Sequence, residues 1–163
     1  MNRTASCLVL FLVASYAVAA PDAPASPFDR LKKLAGTWEM KMPDGKASVM
    51  EIRPVSAGSA LMQTQADEGE GTMVTMIHPD GGRILLTHYC SAKNQPRMVA
   101  EIMPDGKTIK FNFLDITNLT DPAAAHMRHM VLTIQDEDHI TQQWFFRKDG
   151  KEQAETFHYV RKK

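Results

Sequence analysis

Apolar and polar residues alternate along most of the chain from residue 37 onward. A period of two is typical of β-strands that bury one face, and short segments rich in Pro, Asp and Gly interrupt the alternation at regular intervals. The pattern predicts ten strands, because each interruption carries the residues that favour a tight turn. The predicted strands span residues 37–42, 47–53, 60–66, 72–78, 83–90, 97–103, 108–115, 127–135, 139–147 and 151–161.

A different period precedes the first strand. Phe28, Leu31 and Leu34 recur at helical spacing, and Gly36 follows them directly before Trp38. This spacing predicts a short amphipathic helix that runs into the first strand.

The connections between the predicted strands are short, and no segment is long enough to form a crossover helix. Short connections favour neighbouring antiparallel strands, and an open sheet of this size would leave two edges unpaired. Closure into a barrel removes both edges. We therefore predict an all-β fold, a ten-stranded antiparallel up-and-down β-barrel whose short N-terminal helix closes one end.

Alternate connections of such a meander lie on the same rim. One rim then carries 43–46, 67–71, 91–96, 116–126 and 148–150, which include the longest loop, and we predict that this rim is the mouth. The helix closes the opposite end. The same parity places Arg161 of the last strand beside Trp38 of the first, where a guanidinium can stack on an indole ring. Gly36, Trp38 and Arg161 are therefore expected to have structural roles.

The N-terminal segment has the features of a signal peptide. Arg3 precedes an apolar run over 8–13, and a small-residue cleavage site lies at 17–19. We predict a signal peptide over residues 1–19, a flexible leader over 20–27 and a β-barrel domain over 28–163. The mature protein is expected to be periplasmic or secreted.

The charge of the chain is balanced, with 19 basic and 19 acidic residues among 163. Removal of residues 1–19 takes away Arg3 and no acidic residue, which leaves a formal charge of −1. This balance does not favour nucleic acid as a partner. The apolar run is too short for a membrane span. Cleavage would also remove Cys7 and leave Cys90 as a lone thiol.

The Gly-Thr-Trp motif at 36–38, the helix before it and Arg161 together resemble the calycin superfamily, the lipocalins and their relatives. The segments 86–90 and 94–98 also resemble a group of secreted bacterial lipocalin-like proteins of unknown function. The resemblance covers nearly the whole mature chain. It implies a β-barrel and no particular activity.

The nitrobindins, a neighbouring family, are ten-stranded barrels that bind haem through a histidine. Their opening motif continues with glycines after the tryptophan, whereas this chain has Glu39, Met40 and Lys41. We therefore predict no cofactor, and His158 in the last strand is the residue to test as a haem ligand.

His88 and Cys90 are two residues apart, so a strand places both on one face near the predicted mouth. Asn94 and Arg97 in and after the following loop are expected to add polar contacts to a bound molecule. In the alternative interpretation, His88 binds a loop carbonyl, Arg97 braces the loop and Cys90 packs in the wall. The predicted ligand-binding residues are His88, Cys90, Asn94, Arg97, Met98, Phe111, Phe113 and Trp144.

Two other kinds of chemistry remain open at this stage. A thiol beside an imidazole suits a soft metal or an activated nucleophile, so His88 and Cys90 also support an enzyme or redox hypothesis. Methionine and histidine over 126–130 invite a copper(I) interpretation, but a strand places His126 and His129 on opposite faces. We assign no catalytic or metal-binding residue.

The apolar residues of the predicted lumen favour a binding protein over an enzyme, with a small apolar or amphipathic molecule as the partner. These lumen residues are Met40, Met50, Ile52, Ile109, Phe111 and Phe113. Residues 144–146 are all aromatic, so both faces of their strand are apolar, and an interaction barrel is the third hypothesis. We expect a monomer or a weak homodimer.

Overall fold

The structure, a computed structural model, describes residues 26–42, 45–67 and 71–163. The predicted signal peptide, most of the leader and Cys7 lie outside the described residues. The short helix α1 spans Pro27–Lys32. The strands are β1 (Gly36–Lys41), β2 (Ala47–Val55), β3 (Ala60–Asp67), β4 (Gly71–Asp80), β5 (Arg83–Tyr89), β6 (Gln95–Ile102), β7 (Thr108–Thr117), β8 (His126–Ile134), β9 (His139–Lys148) and β10 (Lys151–Arg161).

The ten strands form one closed antiparallel barrel in which each strand pairs with its neighbours in sequence and β1 pairs with β10. Trp38 lies opposite Arg161 and Glu39 opposite Val160 in this closing pair. The backbone N–H of Lys162 extends the seam by donating to the Thr37 carbonyl at 2.8 Å. The predicted fold class is therefore confirmed.

The helix α1 begins at a capping box, in which Ser26 and Asp29 each accept a hydrogen bond from the backbone N–H of the other. Phe28 and Leu31 face inward from the helix, and Leu34 follows them into the core. The indole N–H of Trp38 donates to the Leu34 carbonyl at 2.9 Å. The helix thus covers one end of the barrel, called the closed end below.

Hydrogen bonds between loops mark the opposite end, called the mouth. Asn94 donates to the Ala125 carbonyl at 2.8 Å, and Asn118 donates to the Lys93 carbonyl at 2.5 Å. The Asp149 N–H donates to the Ala123 carbonyl at 3.4 Å. These contacts join three loops that the parity of the meander predicts on one rim.

Two β-bulges interrupt the alternation on one side of the barrel. Between β6 and β7 the register shifts so that Met98 pairs with Phe113 while Arg97 pairs with Asp115. Between β8 and β9 a similar shift leaves Arg128 without a partner in the ladder. An extra residue in a strand changes which face the following side chains occupy, so both Met127 and Met130 point into the barrel.

No helix among the described residues is long and apolar enough to cross a membrane.

Candidate functional site

The interior of the barrel contains a cavity of about 610 Å³ on the mouth side. Methionines and aromatic rings supply most of its apolar wall, and several polar side chains are interspersed among them. The apolar lining residues are Met40, Met42, Met73, Met127, Trp144, Phe146 and Phe157. The polar ones include Gln63, Gln65, Thr75, His88, Ser91, Gln153 and Glu155.

A hydrogen-bonded pair of glutamines forms the floor of this cavity. The amide of Gln142 on β9 donates to Gln63 Oε1 on β3 at 2.9 Å, and the indole N–H of Trp144 donates to Gln142 Oε1 at 3.1 Å. Both glutamines are buried. The floor pair, Gln63 and Gln142, joins strands that lie on nearly opposite sides of the barrel. It separates the hollow half from the packed half.

Below the floor pair the interior is filled. A space of only about 10 Å³ remains there, and its walls combine helix and strand side chains. These side chains are Leu31, Leu34, Ile52, Leu61, Ile77, Met130 and Leu132. The void is about the size of one water probe, so this half of the barrel is a hydrophobic core and has no room for a ligand.

His88 on β5 is the most constrained polar residue of the cavity wall. It is 5% exposed, and its Nδ1 lies 2.9 Å from the hydroxyl of Thr75, its cross-strand partner on β4. Its ring centroid lies 4.8 Å from that of Trp144. Its Nε2 is buried and has no hydrogen-bond partner among the described residues.

Burial lowers the pKa of His88 from 6.5 to about 4. The cause is desolvation, which disfavours the charged imidazolium. The side chain is therefore neutral at physiological pH. A neutral imidazole has one N–H and one lone pair, so Nε2 is a donor or an acceptor according to the tautomer, and this atom is enclosed behind the cavity wall.

Cys90 also lines the cavity, two residues after His88 and closer to the mouth. Its thiol is free and partly exposed. Its backbone begins the mouth loop, since its N–H donates to the Asn94 carbonyl at 3.2 Å and its carbonyl accepts from the Lys93 N–H at 3.0 Å. Tyr89, between the two residues, points outward.

Asn94 and Arg97, predicted to contact a ligand, do not line the cavity. Asn94 is 3% exposed, and its amide donates to Ala125 across the mouth loops. Arg97 lies on the outer face, where it forms a two-pronged ion pair with Asp115. The pair holds the pKa of Asp115 below its ordinary value, mainly through the side-chain hydrogen bond. Both residues fit the alternative interpretation, in which they brace the structure.

Met98, Phe111 and Phe113 also lie away from the cavity. Met98 and Phe111 are completely buried in the packed core. Phe113 is enclosed by the ring of His126, at a centroid distance of 6.1 Å, and by the Arg128 guanidinium, 4.0 Å from its ring. Phe113 thus contacts residues of β8 and is not among the residues that line the cavity.

The aromatic run over 144–146 divides between the two faces of β9. Trp144 and Phe146 line the cavity, whereas Phe145 faces outward. His129 stacks on Phe145 with a centroid distance of 3.9 Å and an interplanar angle of 26°. A side chain of the same barrel thus covers part of the outer apolar face.

The remaining histidines do not converge on the cavity. His126 is buried and donates from Nδ1 to the Ala124 carbonyl at 2.7 Å, whereas His129 lies on the outer face. His158 is also on the outer face, 3.2 Å from the Thr141 hydroxyl. Among the described residues, no group of three or more His, Cys, Asp or Glu side chains is arranged to hold a metal ion.

The closing seam contains the three residues expected to be structural. The Arg161 guanidinium lies 4.2 Å from the Trp38 ring centroid, and its Nη1 donates to the Ala35 carbonyl at 2.8 Å. Gly36 has φ 142°, and a Cβ atom there would lie 2.7 Å from Arg161 Nη1. Only glycine leaves room for this guanidinium to reach the closed end.

Several cavity residues escaped the sequence analysis, notably Gln63, Thr75 and Glu155. Gln63 and Thr75 occupy inward positions of their strands. Strand alternation, together with the prediction of which rim is the mouth, could therefore have predicted both residues. Glu155 required the register of β10 against β9, where it pairs with Trp144. Among the described residues that line the cavity, Glu155 has the only formally charged side chain at neutral pH.

These features define a class: a closed ten-stranded antiparallel barrel with one packed end and one hollow end. A solved structure of the same general fold is the crystal structure of Rv2717c from M. tuberculosis, with a TM-score of 0.56 and 16% sequence identity. The match covers 86% of this chain and all of that chain. At this identity the likeness concerns the fold alone. No protein-family model matches the sequence, and the search of curated proteins found no match.

Proposed function

We propose that this chain is a secreted, calycin-like barrel that binds a small, largely apolar or amphipathic molecule in its mouth-side cavity. The observation that carries the proposal is the cavity itself, about 610 Å³ in volume and lined by methionines and aromatic rings. Binding pockets for small molecules typically measure about 300–1,000 Å³ and combine apolar walls with a few placed polar groups.

The contrast between the two ends supports a binding role. A barrel of this size can be filled by its own side chains, and the closed half of this barrel is filled. The hollow half forgoes that packing and leaves methionine and aromatic side chains facing an open space.

The direct test is native mass spectrometry, with an absorbance scan, on protein purified without refolding from the compartment to which it is exported. We expect an additional mass from a bound organic molecule. An absorbance band from haem would instead identify a cofactor barrel, and a metal mass would support a soft-metal site around Cys90.

A cavity-filling substitution tests the site independently of the natural ligand. Cys90→Phe places a ring inside the cavity, whereas Val160→Phe adds the same ring to an exposed outer position. Binding of the neutral dye N-phenyl-1-naphthylamine, followed by its fluorescence, should be lost in Cys90→Phe and retained in Val160→Phe. Equal binding by both variants would contradict the proposed site.

Export is tested by N-terminal sequencing of the mature chain. The proposal expects removal of residues 1–19, with Ala20 as the new N-terminus. An intact Met1 on the functional protein would contradict secretion through this signal, and it would leave the binding site to be judged by the dye experiment alone.

A further inference from the structure

The wall of the cavity carries a single carboxylate. Glu155 of β10 is the only acidic residue among the described residues that line the cavity, and no lysine or arginine is among them. Its position on the inner face follows from alternation, because Phe157 also lines the cavity and Tyr159 is buried in the core. The pairing of β10 with β9 has no register shift over this stretch. Glu155 is exposed, so a molecule in the cavity can reach it.

This carboxylate has no partner of its own. Within the described part of the chain, the side chain of Glu155 forms neither an ion pair nor a hydrogen bond. The nearest lysine on the same face of β10 is Lys151, four residues away, which corresponds to about 13 Å along a strand. That distance exceeds the screening length of about 8 Å in physiological salt. By contrast, Glu152 on the outer face of β10 lies 4.0 Å from His129.

Aromatic rings surround the position of this carboxylate. Trp144 is the cross-strand partner of Glu155, and Phe146 is the partner of Gln153. Phe157 is the next inward residue along β10. The Cβ atoms of a cross-strand pair lie about 4.5–5.5 Å apart, and diagonal neighbours lie about 7–8 Å apart. All three rings line the cavity, so a group bound at the carboxylate is within their reach.

A carboxylate among aromatic rings suits a cation that is attached to an apolar body. The face of an aromatic ring attracts ammonium groups, and the carboxylate supplies the opposite charge. His88 adds no positive charge at neutral pH, because burial lowers its pKa to about 4. An anionic group would therefore lose its hydration and meet a like charge in this cavity without gaining a cation.

We infer that the cavity selects a cationic amphiphile, whose alkylammonium group lies between the Glu155 carboxylate and the surrounding aromatic rings. The apolar part of the ligand then contacts the methionines of the wall. This inference rests on the proposed binding function and narrows it to one ligand charge. It distinguishes the cavity from one built for fatty-acid carboxylates, which requires a cationic lining residue.

Three probes of nearly equal shape and different charge test the inference. They are (2-naphthylmethyl)trimethylammonium, its neutral isostere 2-neopentylnaphthalene and the anion 2-naphthylmethanesulfonate. Their affinities follow from displacement of N-phenyl-1-naphthylamine bound to the exported, unrefolded protein. We expect the ammonium probe to bind at least about tenfold more tightly than the sulfonate.

Glu155→Gln removes the charge and keeps the shape of the side chain. The affinity for the ammonium probe should fall at least about fivefold, whereas the neutral isostere and the dye should bind as they do to the native chain. Glu152→Gln removes the same charge from the outer face of the same strand and is the matched control. It should leave every affinity within about twofold of the native value. Glu155→Lys should reverse the preference in favour of the sulfonate.

Phe157→Leu tests the contribution of the rings. It keeps an apolar side chain and removes an aromatic face, so the ammonium probe should lose about twofold to fivefold more affinity than the neutral isostere. Equal losses for the two probes would contradict the placement of the ammonium group beside the rings.

The outcomes distinguish the inference from the function on which it rests. If the dye and the neutral isostere bind, but Glu155→Gln leaves the affinity for the ammonium probe unchanged, the inference is overturned and the binding function stands. An equal loss in Glu155→Gln and Glu152→Gln would also overturn it, because the probe would then respond to total charge. If neither the dye nor any probe binds, both the function and the inference fail.

A measurement on the native chain does not depend on any variant folding. Raising the sodium chloride concentration from about 0.05 M to about 0.5 M should weaken binding of the ammonium probe, because salt screens its attraction to an exposed carboxylate. The neutral isostere should show no such loss. Binding of the ammonium probe that does not depend on salt would overturn the inference.

Discussion

The closed half and the mouth half of the barrel differ in how much space they leave inside. Around Leu61 and Leu132 in the closed half the void is about 10 Å³, whereas on the mouth side of Gln63 the cavity is about 610 Å³. The same strands build both regions with the same inward alternation. At the closed end the helix α1 adds Leu31 and Leu34 to the strand side chains, and Arg161 covers Trp38. At the mouth, hydrogen bonds join the loops around the rim, and no helix of the described residues enters.

The two regions also treat polar groups differently. The side-chain amides of the floor pair are hydrogen-bonded to each other. Gln142 and Gln63 each donate to the other, and the Trp144 indole N–H donates to Gln142. His88, closer to the mouth, has one ring nitrogen paired with Thr75 and one without a partner among the described residues. We therefore expect most of the stability to come from the closed end, whereas the mouth side holds the proposed binding site. The predictions below test that division, beginning with the largest effect.

Trp38→Ala should lower the free energy of unfolding by about 3–5 kcal/mol, because it removes a fully buried ring from a packed region that cannot collapse around the gap. Phe146→Ala, which only enlarges an existing cavity, should cost no more than about 1 kcal/mol. Urea unfolding followed by circular dichroism measures both. Equal losses would contradict the division between packed and hollow halves.

Acidification should destabilise the hollow half through His88. Its pKa is about 4 in the folded chain and ordinarily 6.5, so between these values the unfolded chain binds a proton that the folded chain does not. The free energy of unfolding should therefore fall as the pH drops through this window, by up to about 3 kcal/mol, with no contribution above it.

Urea unfolding of the native chain and of His88→Gln over this pH range isolates that contribution, because the other titrating groups are common to both. The native curve should lose more stability than the variant between about pH 6.5 and about pH 4. Parallel curves would show that His88 titrates normally and is not desolvated.

Gln142→Leu should cost about 1–3 kcal/mol, since it leaves the Gln63 amide and the Trp144 indole N–H unpaired beneath the cavity. The double variant Gln63→Leu/Gln142→Leu should cost less than the sum of the single substitutions, because it removes both partners of the floor pair. A double-mutant cycle from urea unfolding measures the coupling. Strict additivity would mean that the pair does not act as a unit.

Arg97→Ala should have the smallest effect on binding. Its guanidinium pairs with Asp115 on the outer face, so the affinity for N-phenyl-1-naphthylamine should stay within about twofold of the native value. The pKa of Asp115, measured by NMR, should rise toward its ordinary value when the paired cation is removed. A large loss of affinity would place Arg97 functionally at the mouth.

The sequence predicted the architecture well because that prediction depends on local patterns. The ten strands lie within two residues of the predicted bounds, since alternation and turn residues are both properties of short segments. Parity alone placed the mouth loops on one rim, and Arg161 indeed lies over Trp38. The residues of the cavity wall were harder to predict from the sequence. Of the predicted ligand-binding residues, three line the cavity, namely His88, Cys90 and Trp144. Five do not: Asn94, Arg97, Met98, Phe111 and Phe113.

On one side of the barrel the strands depart from strict alternation. A bulge at Leu114 and another at Arg128 shift the register on one side of the barrel, and His126 then packs against Phe113. The extra residues carry no sequence signal of their own, because a bulge is a response to pairing with the neighbouring strand.

What the sequence determined by itself is the number of strands, their antiparallel order, the helix at one end and the residues that close the seam. These follow from period, turn chemistry and connection length. Only the tertiary structure decided which inward side chains meet across the barrel, namely Gln63 with Gln142 and His88 with Thr75 and Trp144. Such contacts depend on register, closure and packing volume, which no segment of the chain encodes alone.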